Sequence, residues 1–181
     1  MIIGIAYASY DMTPKQTLRY ARTLLVIAFL SNVLTKVIPD VLAYAGVGKY
    51  TANYIGATGT DVYIYDLFYS DVIILAALSM FILAIYNMTK LEDYYLIFAA
   101  MIMNILGSVF EGMGTGNSFL DILGSWFWPS GIKNAFPLIT WFIYPAFGVF
   151  LGNLLRKIKD KKLFYLIVSP IALAVGLGYS A

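Results

Sequence analysis

Two residue types are missing from this chain altogether: its 181 residues include no cysteine and no histidine. Without cysteine there is neither a disulfide framework nor a thiolate metal site, and the redox compartment leaves no mark on the sequence. Without histidine the commonest general base and the commonest metal ligand are both gone, so no metal centre and no bound cofactor are expected. Charge is scarce as well. Asp, Glu, Lys and Arg make up 12% of the chain, roughly half the usual share of a soluble protein, and a surface facing water cannot be covered with so little. The net charge of +2 gives no basis for a nucleic-acid partner. No phosphate-binding glycine loop, nucleophile elbow or metal-binding helix motif occurs.

What is present is apolar: 61% of the residues, grouped in runs near the ~17–25 residues that cross a hydrocarbon core. The expected fold is all-α, a polytopic transmembrane helix bundle with five full spans and a partial N-terminal one, forming a single membrane domain over residues 1–181. The spans fall at residues 20–38, 67–86, 94–110, 137–155 and 164–181. Residues 1–10 cover only about 15 Å as a helix and are read as the tail of a longer helix or an interfacial piece. Two connections, 39–66 and 111–136, are too polar and too glycine-rich to continue the spans. Trp126, Trp128, Tyr50 and Tyr54 stand where interfacial aromatics are expected.

Orientation follows from the basic residues. Lys15, Arg19, Arg22, Lys90 and the five between 156 and 162 fall in alternate connections, so nine of the twelve lie on one side. The positive-inside rule makes that side cytoplasmic and puts the long connections outside, with the cell membrane as the location.

Several polar groups lie within or beside the spans. Asn104, Ser108 and Glu111 are spaced i, i+4, i+7 and share one helical face. They either bond neighbouring helices, with Glu111 an interfacial carboxylate, or line a wet cavity. Asn32 and Lys36 are likewise i, i+4, followed by Asp40; the Lys36 ammonium is expected to snorkel to the headgroups, or else to pair with Asp40 or an anionic substrate. Asp66 reads as an N-terminal cap of the third span and Asp71 as a carboxylate reaching inward, for pairing or for function. Gly148 and Gly152, four apart, allow a close helix approach within the bundle. The basic run 156–162 is a topology determinant that can also attract phosphates. Asn87-Met-Thr fits a glycosylation pattern but falls on the cytoplasmic side and is set aside.

The segment FPLITWFIYPAFGVFLGNLLRK, residues 136–157, resembles a stretch of the bacterial and archaeal membrane acyltransferases, which include acyltransferase family 3 and the relatives of heparan-α-glucosaminide N-acetyltransferase. Phe136, Pro137, Leu138, Trp141, Gly148, Gly152, Arg156 and Lys157 carry the likeness. MIIGIAYASY with the following TPKQTLRYARTLLVIAFLSNVLT, and IYDLFYSDVIILAALSMFIL, are similar to further family segments in the same order. The resemblance implies transfer of an acyl group from a cytosolic thioester, acyl-CoA, to a hydroxyl or amine of a glycan or glycolipid acceptor.

It also implies a chain incomplete at both ends, lacking the family's histidine and inactive alone. Asn32, Lys36, Asn104 and Ser108 would line the passage, Glu111 and Asp71 are the carboxylates available for catalysis, and Arg19, Arg22, Arg156 and Lys157 would face the donor phosphates. The alternative is a non-catalytic membrane protein, either part of a small-solute transporter or an accessory subunit. Helices broken at mid-membrane around Asn104 and Pro145 would favour transport; a cavity opening toward the basic connections would favour acyl transfer. The bilayer is the one partner composition names.

Overall fold

The computed structural model of the protein describes residues 2–10, 12–47, 60–89, 91–130 and 136–159, with single helical positions at 162, 166 and 170. Among the described residues the regular structure is all helical, without a strand. In chain order the elements are α1 (Ile2–Ser9), α2 (Pro14–Asn32), a π-helical turn (Val33–Val37), α3 (Ile38–Tyr44), α4 (Thr60–Leu67), α5 (Val72–Thr89), α6 (Asp93–Val109), α7 (Ser118–Gly124), α8 (Leu138–Trp141) and α9 (Ile143–Lys157).

Local chemistry explains several helix starts. Thr13 and Gln16 form a reciprocal capping box ahead of Pro14, which satisfies two of the donors a helix N-terminus leaves free. Asn117 accepts from the Phe119 and Leu120 amides at the head of α7. Asp71 accepts from the Ile73 and Ile74 amides at 2.8 and 3.0 Å and so caps α5. The capping carboxylate of this span is therefore Asp71, while Asp66 lies buried near the end of α4.

The second span was expected to stop before Pro39, yet the helix runs on to Tyr44. Proline lacks an N–H, and its ring collides with the carbonyl four residues back. Here the turn just before it widens: the Ile38 amide bonds Val33 O, five residues back. A π turn makes room in this way, and the chain continues without a break.

Among the described residues three helices are long and apolar enough to cross a membrane: Pro14–Tyr44 (31 residues), Val72–Thr89 (18) and Leu138–Lys157 (20), the last joining α8 to α9. Asp93–Val109 is apolar but shorter than these. These four correspond to four of the five expected spans, while the fifth, at 164–181, lies almost wholly outside the described residues. The two connections read as too polar and too glycine-rich to continue the spans contain the short helices α3, α4 and α7.

Packing divides into pairs: α2 lies along α5, α1 along α9, and α6 against α8 and α9. The α1–α9 seam is the tightest. A Cβ on Gly4 would run into the Pro145 carbonyl and come within 2.6 Å of the Val149 nitrogen, and one on Gly152 would come within 2.7 Å of the Ala8 Cβ. The glycine spacing of α9 thus receives α1, a close approach within the bundle. Tyr7, Ala21, Leu75, Met80, Leu83, Leu96, Ala100, Leu138, Phe142, Ala146 and Val149 form the core that joins the pairs.

Candidate functional site

Polar side chains collect at the two ends of this bundle. At one end the Asn32 side chain, 1% exposed, donates to the carbonyls of Leu67 and Tyr69 at 3.1 and 2.9 Å. Those carbonyls follow α4 and have no helical partner, so Asn32 serves as their cap. Lys36, read as snorkelling to the headgroups or pairing with Asp40 or an anionic substrate, has its ammonium 3.8 Å from the centroid of the Tyr69 ring, a cation–π contact. Asp40 and Asp66 are buried nearby. Phe29, Phe68, Phe119 and Trp126 pack edge to face or tilted over this end, and the Trp126 indole N–H donates to Phe68 O at 2.6 Å. Trp128 donates to Met113 O. Both tryptophans therefore belong to a packed cap; Tyr50 and Tyr54 lie outside the described residues.

The polar stripe expected on the fourth span separates. Asn104 faces inward and donates to Thr140 O at 2.7 Å, binding α6 to α8. Ser108 and Glu111 are exposed. The helix ends at Val109, so Glu111 lies in the following turn, where Gly112 has a φ of +76°. The i, i+7 relation needed helix that is not there.

The other end is built differently. The C-terminal ends of α1, α5 and α9 meet the N-terminal end of α6 around a cavity of about 320 Å³, at the lower limit of ligand pockets. Tyr7, Ala8, Met12, Tyr86, Asn87, Leu91, Asp93, Val149 and Asn153 line it. Asp93 sits in the first turn of α6, where the helix dipole favours a carboxylate. The Asn153 amide donates to its Oδ2 at 2.9 Å. The single Tyr86 O–H lies between its Oδ1 at 3.1 Å and Leu91 O at 2.8 Å and is shared by the two acceptors. Asn87 donates to Met12 O at 2.9 Å, and Tyr7 to Leu83 O at 3.3 Å. At the lip Arg156 donates to Ala8 O at 2.9 Å, a guanidinium on the carbonyl end of α1 as the dipole prefers. Arg19, Arg22 and Lys157 are exposed, Lys157 next to Arg156 and the other two along α2.

Of the candidate site residues read from sequence, Arg156 donates to a residue of the cavity wall, and Asn87, noted there only for a glycosylation pattern, lines it. Asn32, Lys36 and Asp71 stand at the far end, and Asn104 binds two helices together. The cavity residues were missed because four separated segments supply them. A signal existed: Tyr86, Asn87, Asp93 and Asn153 are polar positions close to the ends of apolar helices, all on the basic side. Comparison with known proteins gives no match to this chain, whether among family models, curated proteins or solved structures.

Proposed function

We propose that this chain is a multi-pass cell-membrane acyltransferase unit whose cavity opens to the cytosol and holds the acyl acceptor. The observation that carries this reading is the cavity's lining: Met12, Leu91 and Asn153 lie within three positions in sequence of Lys15, Lys90 and Arg156, in the three basic connections. By the positive-inside rule that end is cytoplasmic. A cytosolic thioester would meet its phosphates at Arg156 and Lys157 on the lip, while the acceptor occupies the cavity beside Asp93. There the acceptor's O–H or N–H attacks the thioester carbonyl, the C–S bond breaks, and the acceptor's proton passes by way of Asp93 to the leaving sulfur. The carboxylate is in place for this, held on both oxygens by Tyr86 and Asn153.

The transport reading finds less support. α6 passes unbroken through Asn104, so only one of the two interruptions that transport would use is present, the turn at Phe142 between α8 and α9, just ahead of Pro145. The test is turnover of radiolabelled acetyl-coenzyme A by the full chain in nanodiscs, with a panel of amino and hydroxyl acceptors. Acceptor-dependent release of coenzyme A, lost in Asp93→Asn, is the expected result. Failure of the protein to bind or turn over the thioester overturns the reading.

A further inference from the structure

We infer that the cavity takes a primary ammonium group, so that the acceptor it admits is an amine bound as its cation, which gives one proton by way of Asp93 to the leaving sulfur to free its lone pair and loses the second to water after attack; this rests on the reading of the cavity as the acceptor's site. The argument is a count of donors and acceptors. No Lys or Arg lines the cavity among the described residues. Both donors to the Asp93 carboxylate, the Tyr86 hydroxyl and the Asn153 amide, are neutral, so the wall keeps its negative charge. Asn153 and Asn87 each direct one amide N–H, at Asp93 and at Met12 O, which leaves one further N–H and an amide oxygen on each side chain. The Tyr7 hydroxyl donates to Leu83 O and the one Tyr86 O–H lies between Asp93 and Leu91 O, so neither hydroxyl keeps a free donor, both rings belong to the wall, and acceptors outnumber donors. The carbonyl end of α5 adds partial negative charge, against the partial positive charge of α6 at Asp93 itself; that of α1 is covered by Arg156.

Such a lining is rich in acceptors and poor in donors. A phosphate or carboxylate would meet acceptor against acceptor there, and a neutral hydroxyl brings a single donor. A primary ammonium brings three donors and a charge, with ring faces to receive it. The same logic keeps the thioester's phosphates out of the cavity and on the Arg156 side of the lip.

The test is ligand-detected NMR on the full chain in nanodiscs with three probes of similar size. Ethanolamine has the ammonium, ethylene glycol replaces it with a hydroxyl, and tetramethylammonium keeps the charge but has no N–H. Ethanolamine is expected to bind saturably, and the other two more weakly by about tenfold or more, the weight of charge-assisted hydrogen bonds. Asp93→Asn should abolish ethanolamine binding, and Asn153→Ala should weaken it several-fold. Should Asp93→Asn fail to fold, the three probes on the unmodified chain decide. Equal binding of ethylene glycol, or undiminished ethanolamine binding in folded Asp93→Asn, overturns the inference. Acylation of ethylene glycol as readily as ethanolamine, with acetyl-coenzyme A present, would sink the ammonium site and leave acyl transfer standing. Ethanolamine binding without any acylation would do the reverse.

Discussion

Asn32 and Asn153 are the same residue type at opposite ends of one bundle. Asn32 donates to two backbone carbonyls and is 1% exposed; Asn153 donates to a carboxylate in a cavity wall. The contrast extends to their neighbours. Around Asn32, Asp71 is bound to amides of α5 and Trp126 to Phe68 O, so polar groups there complete the chain's own backbone. Around Asn153, the carboxylate of Asp93 borders open space. Backbone carbonyls in a low-dielectric interior must be paired, which accounts for the first set without any ligand. The second set leaves acceptor capacity over, and that surplus distinguishes a site from a joint.

Perturbing each end should therefore have different consequences. The largest effect is expected for Gly4→Leu, where the new side chain meets the backbone of α9. It should cost about 3 kcal/mol or more, unseat α1 and open the cavity end, read as a lowered melting temperature and protease cleavage within α1. Asn32→Leu strands two carbonyls and should cost about 2–3 kcal/mol at the other end. Folded yield should fall while ethanolamine binding per folded molecule stays unchanged, and a change in that binding would erase the distinction between the ends.

Asp71→Ala removes a helix cap, with an expected loss of about 1 kcal/mol in thermal melting. Asp121, in the connection beyond α6, gives a pH-dependent case. Donation from the Thr115 backbone and hydroxyl holds its carboxyl below the usual range. Because the folded value is depressed, its contribution is present above the ordinary carboxylate value and is lost as pH falls through the lower folded value. Hydrogen exchange at the Thr115 amide should accelerate below about pH 4 beyond its intrinsic trend, and Asp121→Asn should remove that dependence. Smallest of all, exposed Glu111→Gln should shift stability by no more than about 0.5 kcal/mol.

Much of the bundle was legible because lipid-crossing runs are long and uniform. The helices at 72–89, 93–109 and 138–157 fall within a few residues of the spans read from hydropathy, and Gly148 and Gly152 meet another helix as their spacing implied. The misreadings were local rules overruled by context. Proline usually ends a helix, but the π turn ahead of Pro39 absorbs the conflict. Glu111 joined a helical stripe on paper because nothing in the apolar pattern marks Phe110 as the end, although Gly112, Gly114 and Gly116 were a warning. The cavity was illegible for another reason. Its wall comes from segments at both ends of the sequence, and no spacing rule relates Tyr7 to Asn153.

That last fact bears on how the protein is made. Ala8 and Arg156 are 148 residues apart, and at roughly 5–20 residues per second the ribosome needs about 7–30 s to pass from one to the other. Throughout that interval α1 lacks its main partner: Tyr7 can already reach the Leu83 carbonyl of α5, but the glycine face is bare and the carbonyl end that Arg156 will cover is uncapped. The cavity comes into existence only when α9 arrives. A translation product arrested before α9 would therefore expose the face of α1 that Gly4 marks, a difference that limited proteolysis can read.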